Sequence, residues 1–240
     1  MMSIHLVGGG YRDGTERAVY GPFVSEAIAG AGDERDPVIA VLTVRESADP
    51  SHGETLAAAL RTAGAPREVD IVAIVVDEGE TIPLDAVDGV DGILVGGGLT
   101  PAYLAGLAPL AGRIRDAVVA GVPYLGFSAG AMIAPDRAII GGWRIDGVEI
   151  CSEDGSEELD ELTIEDGLGL IDVTVDVHAT QWGNLSRAIA AVDSGAVGEV
   201  IAIDESTVLT VGAGPLRAGG AGTVWVVTKD DRGVLVRSMR

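Results

Sequence analysis

The chain has 240 residues, is 47% hydrophobic and carries a formal net charge of −21, from 37 acidic and 16 basic residues. This hydrophobic content can fill one substantial core, so we expect residues 1–240 to form a single domain. The negative charge disfavours nucleic acid as a partner, because phosphate binding needs positive surface. No apolar stretch reaches the roughly 18 residues of a membrane span, and no signal peptide is evident. The single Cys151 argues against a disulfide framework, so we expect a cytoplasmic protein.

The first half of the chain alternates short apolar runs with helical patterns. Strands are predicted at 4–7, 38–43, 70–76 and 92–95, and helices at about 16–29, 55–63, 100–107 and 110–120. Strands that alternate with helices indicate βαβ units. We therefore predict an α/β fold with a mostly parallel, doubly wound sheet flanked by helices. The glycines 8–10 after the first strand predict a tight turn whose backbone lies close to the site.

The pattern changes after residue 134. A hairpin is predicted at 139–150 around Asp146-Gly147, followed by an acidic, solvated segment at 152–166. Beyond it we predict a strand at 173–177, a helix at 184–192 capped by Asn184, and a strand at 200–203. The chain ends with antiparallel strands predicted at 207–211, 223–228 and 234–237.

A possible nucleophile lies at the end of the strand that begins at Tyr124. The sequence Gly126-Phe127-Ser128-Ala129-Gly130 matches Gly-x-Ser-x-Gly between an apolar run and an Ala-rich segment. This arrangement of strand, sharp turn and helix is typical of a nucleophile elbow, which exposes the serine hydroxyl at the carboxyl end of a strand. The N–H of Ala129, at the helix start, could then stabilise an oxyanion.

A serine nucleophile needs a base within hydrogen-bond reach and an acid that orients the base. Three scattered histidines are present, and they form no metal-binding pattern: His5, His52 and His178. His178 directly follows a predicted strand and is expected at the same sheet edge as Ser128, so it is the favoured base. Three carboxylates lie near strand ends: Asp176, Asp204 and Glu205. Alternation makes Asp204 and Glu205 face opposite ways, and the residues alone leave the choice of acid open.

Four sequence blocks resemble peptidase family S51, which contains aspartyl dipeptidase (peptidase E) and cyanophycinase. The blocks are Gly96-Gly97-Gly98 with Thr100, Gly126–Ala131 around Ser128, Asp176-Val177-His178, and Ala202-Ile203-Asp204-Glu205-Ser206-Thr207. The resemblance implies a class I glutamine amidotransferase-like fold and a Ser128, His178, Glu205 triad. It also implies an oxyanion hole from backbone N–H groups near Gly98 and Ala129. Hydrolysis of this kind needs no cofactor and no metal.

The chain departs from the family where cyanophycinase binds its acidic substrate. The arginines of that subfamily correspond to Trp182, Asn184 and Arg187 here, so only one cation remains. The candidate substrate-binding residues are Leu99, Thr100, Trp182, Asn184 and Arg187. We expect a monomer or homodimer that cleaves a small peptide or isopeptide, with a specificity changed from Asp-directed members.

Two other functions remain open from the sequence. Leu99 and Trp182 are apolar, which favours an esterase or amidase that acts on a small apolar substrate. A binding or regulatory module could also retain the triad without turnover. A class I amidotransferase is less favoured, because that chemistry uses a cysteine at the elbow and Cys151 lies in no such motif.

Overall fold

The structure is a computed structural model that describes residues 3–240. The strands are β1 (Ile4–Val7), β2 (Val38–Val44), β3 (Asp70–Val76), β4 (Gly92–Val95), β5 (Tyr124–Phe127), β6 (Arg137–Gly141), β7 (Arg144–Ile145), β8 (Val148–Glu149), β9 (Thr163–Asp166), β10 (Thr174–Val177), β11 (Glu199–Ile203), β12 (Thr207–Val211), β13 (Arg217–Gly220), β14 (Val224–Asp230) and β15 (Gly233–Met239). The helices are α1 (Glu16–Val19), α2 (Gly21–Ala31), α3 (Ser51–Gly64), α4 (Thr100–Leu107), α5 (Ala111–Val119), α6 (Ala129–Met132) and α7 (Leu185–Asp193). Short 3₁₀ turns lie at Glu46–Ala48, Leu84–Val87, Ala108–Leu110 and Glu153–Gly155.

The main sheet has seven strands in the order β13-β12-β1-β5-β4-β2-β3. The five strands β1, β5, β4, β2 and β3 are parallel to one another. β12 pairs with β1 in the antiparallel direction, and β13 pairs with β12 in the same way. Alternate residues of the central strands enter two cores: Ile93 and Val95 join the one shared with α4 and α5, and Leu94 joins the one shared with α2 and α3. Burial on both faces is typical of parallel strands, and the predicted α/β fold is confirmed.

A second sheet of four strands has the order β10-β11-β14-β15 and packs against α7. The strands β10 and β11 are parallel to each other, and β14 and β15 are antiparallel. The sequence predicts His178 at the same sheet edge as Ser128, but the structure places it at the end of β10, in the second sheet. Because β12 occupies the free edge of β1, the strands β10 and β11 pair with each other instead of extending the main sheet.

Two predicted boundaries differ near the site. The helix predicted at 16–29 is divided into α1 and α2, with Pro22 in the first turn of α2, where proline is favoured. The helix predicted at 55–63 already begins at Ser51, so His52 lies in the first turn of α3 and not in a loop. The hairpin predicted at 139–150 forms only around Asp146-Gly147, as β7 and β8, because residues 139–141 belong to β6, which pairs with β9. None of the helices within residues 3–240 is long and apolar enough to cross a membrane.

Candidate active site

Ser128 occupies a strained turn between β5 and α6. Its backbone angles are φ 51° and ψ −110°, a conformation that residues other than glycine seldom adopt. A Cβ on Gly126 would lie 2.3 Å from the carbonyl oxygen of Gly130, and a Cβ on Gly130 would lie 2.3 Å from that of Val95. Both positions therefore require glycine, and the turn has the tight packing expected of a nucleophile elbow.

The side chains of Ser128, His178 and Glu205 form one hydrogen-bonded chain. The Ser128 Oγ lies 2.8 Å from His178 Nε2, and His178 Nδ1 lies 2.7 Å from Glu205 Oε1. His178 is buried, whereas the Glu205 carboxylate is partly exposed. Burial lowers the pKa of His178 below its ordinary value, and the hydrogen bond with Glu205 opposes this shift. The imidazole is therefore neutral and able to accept a proton at neutral pH.

The end of β1 joins the segments that carry these side chains. The backbone N–H of Ser128 donates to the Val7 carbonyl at 2.9 Å, and the N–H of His178 donates to the Gly8 carbonyl at 3.1 Å. The carbonyl of Gly9 accepts from the N–H of Ser206, next to Glu205, at 2.7 Å. The predicted close approach of this glycine turn to the site is thus present. The turn therefore brings the carboxyl end of β5 in one sheet close to the carboxyl end of β10 in the other.

The two other carboxylates near strand ends have different partners. Asp204 is buried and accepts hydrogen bonds from the Thr180 hydroxyl (2.9 Å), the Thr223 N–H (3.0 Å) and the Trp225 indole (3.1 Å). It faces away from His178, as the alternation along the strand predicts. Asp176 is also buried and is paired with an arginine, as described below. Glu205 alone of these three carboxylates contacts the imidazole.

A cleft of about 490 Å³ opens in front of Ser128. Leu99 and Trp182, which the sequence predicts as substrate-binding residues, line this cleft. One wall carries three carboxylates: Asp154, Glu157 and Glu158. They belong to the acidic segment that the sequence interpretation treated as a solvated surface. Burial raises the pKa of Glu157, although its carboxylate accepts the Thr100 N–H at 2.8 Å.

The predicted substrate-binding role of Arg187 is corrected by the structure. Its guanidinium is completely buried and makes a bidentate pair with Asp176, with distances of 2.9 Å to Oδ2 and 2.7 Å to Oδ1. It also donates to the carbonyl oxygens of Gly142 and Gly155. Because these partners take up the guanidinium, Arg187 has no free face for a substrate carboxylate.

Thr100 and Asn184 are likewise outside the cleft. The Thr100 side chain is buried, with its hydroxyl 3.7 Å from the sulfur of Met132. Asn184 is buried at the start of α7, but its side chain does not cap the helix as predicted. Its amide instead donates to the Val177 carbonyl at 3.0 Å. The structure therefore places neither predicted substrate-binding side chain in the cleft.

The two predicted oxyanion donors, Ala129 and Gly98, lie in different segments of the chain. Ala129 begins the short helix α6, directly after Ser128, and Gly98 lines the cleft. Within residues 3–240, neither of these backbone N–H groups has a hydrogen-bond partner. Both are therefore free to donate to a bound group. The same part of the chain contains no cluster of three His, Cys, Asp or Glu side chains that could hold a metal ion.

Besides the three carboxylates, sequence reasoning missed two side chains with ring or guanidinium nitrogens that line the cleft, Arg45 and His52. Arg45 directly follows β2, so its position at the carboxyl end of a central parallel strand was a usable signal. His52 precedes the helix predicted at 55–63, so the sequence pattern does not indicate its place in the first turn of α3. The Arg45 guanidinium and the His52 ring both reach the glycine loop after β4.

An α/β fold with a serine, a histidine and a carboxylate in one hydrogen-bonded chain is the arrangement found in serine hydrolases. The sequence profile of peptidase family S51 matches residues 44–217, and the chain belongs to this family. The protein is therefore a member of a family of peptidases.

Solved structures show the same fold. The chain is similar to the crystal structure of a peptidase from an acI-B1 Actinobacterium, with a TM-score of 0.66 and 19% identity over 100% of this chain and 94% of that one. It is also similar to a candidate peptidase E protein from Listeria monocytogenes EGD-e, with a TM-score of 0.55 and 18% identity over 92% of this chain and 100% of that one. At these identities the likeness concerns the fold. No curated protein sequence matches the chain.

Proposed function

We propose that this protein is a serine peptidase that cleaves a peptide or isopeptide amide with Ser128 as nucleophile, His178 as base and Glu205 as acid. The observation that carries the proposal is the continuous contact from Ser128 Oγ through the imidazole to Glu205, with distances of 2.8 and 2.7 Å. The proposal treats residues 1–240 as one hydrolase domain. In support, one hydrophobic core contains residues of both sheets, such as Leu42 of β2 and Val200 of β11.

The reaction would proceed through an acyl-enzyme. Ser128 Oγ attacks the amide carbonyl while His178 Nε2 takes its proton, and Glu205 accepts the Nδ1–H that this tautomer requires. The N–H groups of Gly98 and Ala129 would stabilise the oxyanion of the tetrahedral intermediate. The imidazolium then protonates the leaving amine, the C–N bond breaks, and the acyl ester forms. Water, deprotonated by His178, hydrolyses the ester and releases Ser128.

The proposed specificity differs from that of Asp-directed relatives. Arg187 is committed to Asp176, and the cleft wall carries three carboxylates against the single guanidinium of Arg45. A substrate carboxylate would lose its hydration there and meet repulsion from the wall. We therefore propose neutral or basic residues beside the scissile bond. An esterase or amidase for a small apolar substrate is the second candidate, because Leu99 and Trp182 both face the cleft.

Covalent labelling with a fluorophosphonate, followed by a panel of dipeptides, isodipeptides and esters, tests the proposal. We expect the label on Ser128, and a loss of turnover of at least about a thousandfold in Ser128→Ala if the three residues act as a unit. Residual activity within tenfold of wild type would remove Ser128 from the mechanism. Turnover of esters without any amide would favour the second candidate, and absence of labelling would favour a binding or regulatory module.

A further inference from the structure

Gly97 is held at both of its peptide groups by side chains from three different elements. Its N–H donates to His52 Nε2 at 2.9 Å. Its carbonyl oxygen accepts from the Arg45 guanidinium at 3.1 Å and from the Tyr103 hydroxyl at 2.9 Å. A glycine between two glycines has little conformational preference of its own. The orientation of this loop is therefore set by its three anchoring side chains, Arg45, His52 and Tyr103.

The contacts at the Gly97 carbonyl fix the direction of the next N–H. The carbonyl of Gly97 and the N–H of Gly98 belong to one planar trans peptide group, so they point in opposite directions. With the oxygen held by Arg45 and Tyr103, the Gly98 N–H is turned to the other side, where it has no partner within residues 3–240. The loop also touches the nucleophile, because a Cβ on Gly97 would lie 2.9 Å from the Ser128 Cβ.

We propose that Arg45, His52 and Tyr103 are positioning residues that hold the Gly97–Gly98 peptide group so that its N–H faces the reacting carbonyl oxygen. This inference rests on the proposed peptidase mechanism, in which Gly98 supplies one oxyanion donor. Rotation of this peptide group would replace the donor by a carbonyl oxygen, which repels an oxyanion. Preorganised donors are effective because they need no reorganisation during the reaction.

The environments of the anchoring residues suit this role. Burial and the nearby Arg45 lower the pKa of His52 to about 4, so its ring is neutral at neutral pH. Because Nε2 accepts from Gly97, the proton must reside on Nδ1, which lies 2.9 Å from the Tyr11 hydroxyl. Tyr103 is completely buried, so its hydroxyl has no water to turn to. The charge of Arg45 polarises the peptide group and strengthens the Gly98 N–H as a donor.

The test uses variants that remove one anchoring contact with little change in shape. Tyr103→Phe deletes the hydroxyl, and His52→Leu deletes the acceptor, whereas His52→Gln can place an oxygen near the position of Nε2. Tyr20→Phe is the matched control, because Tyr20 is also a buried tyrosine but, unlike Tyr103, makes no hydrogen bond to Gly97. For each variant we would measure kcat, KM, Tm and the affinity for a peptide aldehyde, whose adduct with Ser128 presents an oxyanion to the hole.

We expect kcat to fall about tenfold in Tyr103→Phe and in His52→Leu, with KM within about twofold of wild type. This is less than the hundredfold to thousandfold that follows removal of an oxyanion donor, because the donor is only misdirected. Aldehyde affinity should fall by the same factor as kcat, and His52→Gln should retain more activity than His52→Leu. Tyr20→Phe should leave kcat unchanged, whatever its effect on Tm.

Unchanged kcat and aldehyde affinity in both Tyr103→Phe and His52→Leu would overturn the inference. So would losses that follow Tm alone and are equal in Tyr20→Phe. If His52→Leu does not fold, Tyr103→Phe and His52→Gln decide the question by the same measurements. Labelling of wild-type Ser128 by a fluorophosphonate separates the two proposals. If Ser128 is not labelled, the peptidase mechanism fails. If Ser128 is labelled but kcat and aldehyde affinity are unchanged in the variants, only the positioning role is contradicted.

Discussion

The indole of Trp182 lies flat against the imidazole of His178, with ring centroids 3.9 Å apart and ring planes inclined by 6°. Trp182 is 40% exposed and His178 only 6%, so the indole covers one face of an otherwise buried imidazole. This contact has two opposite effects. The loss of hydration disfavours the imidazolium, whereas the face of the indole attracts it. Burial is the largest influence on the His178 pKa, and its direction is downward.

Removing the indole should therefore raise the pKa of the base. His178 accepts a proton only when neutral, so kcat/KM should fall as the pH drops through its pKa. In the wild type we expect the midpoint of this acidic limb below the ordinary value of about 6.5. Trp182→Ala should move the midpoint upward, and Trp182→Phe should move it less. Profiles of kcat/KM against pH would check this, and an unchanged or lower midpoint in Trp182→Ala would contradict it.

Glu205→Gln should reduce turnover strongly without much change in stability. The substitution keeps the size of the side chain but removes the charge that favours the imidazolium as Ser128 loses its proton. By analogy with the corresponding change in a serine protease triad, we expect kcat to fall by about a hundredfold or more. Glu205 also raises the His178 pKa, so the acidic limb of any residual activity should shift downward. Activity within tenfold of wild type would mean that Glu205 is not the acid.

Asp204→Asn should lower stability but should have little effect on turnover. Both oxygens of its carboxylate accept hydrogen bonds, from two backbone N–H groups, a hydroxyl and an indole N–H. In Asn an NH₂ group replaces one of these oxygens and cannot accept the bonds made there. We expect unfolding free energy to fall by about 1–3 kcal/mol, because buried donors lose their acceptor. In the folded enzyme kcat should stay within a few fold of wild type. A kcat defect as large as that of Glu205→Gln would mean that the acid is misassigned.

The residues of the proposed triad could be found from the sequence because each one follows a strand. Ser128 is marked by the glycines around it, whereas the residues alone leave Asp176, Asp204 and Glu205 open as the acid, and only the resemblance to family S51 favours Glu205. The residues that bind substrate could not be predicted from the sequence in the same way. Whether an arginine faces the cleft depends on its burial and partners, and the sequence does not show that Arg187 packs on Asp176. Likewise, the division into two sheets depends on which strand occupies the edge of β1, a long-range choice that local patterns do not encode.

The pair formed by Arg187 and Asp176 should contribute to stability more than to chemistry. Both side chains are completely buried. Arg187→Met would leave the Asp176 charge buried without its partner, which costs about 3–5 kcal/mol of unfolding free energy. The double variant Asp176→Leu, Arg187→Met should recover much of this loss, because no isolated charge remains. Urea denaturation of both variants would check this. A double variant as unstable as the single one would show that the carbonyl contacts of Arg187 dominate.

The charges of the cleft lead to the prediction on specificity. The Arg45 guanidinium lines the cleft, and it already donates to the Gly97 carbonyl. Asp154, Glu157 and Glu158 line the same cleft, and the whole chain carries a net charge of −21. An acidic ligand would be repelled at a distance and would find one partly engaged guanidinium on arrival. A comparison of kcat/KM for acidic and neutral dipeptides should show the net effect of these charges on substrate preference.

We expect kcat/KM to be higher for Ala-Leu than for Asp-Leu, and activity on β-Asp-Arg to be weak. Added salt should narrow the gap between Ala-Leu and Asp-Leu, since it screens the long-range repulsion. Arg45→Met should lower kcat for every substrate, because Arg45 anchors Gly97, so the informative quantity is the ratio of kcat/KM between Asp-Leu and Ala-Leu. Arg113→Met, on an exposed helix surface, is the control for charge alone. A clear preference for Asp-Leu that Arg45→Met abolishes and Arg113→Met retains would show that Arg45 binds the substrate carboxylate, and the proposed change of specificity would then be wrong.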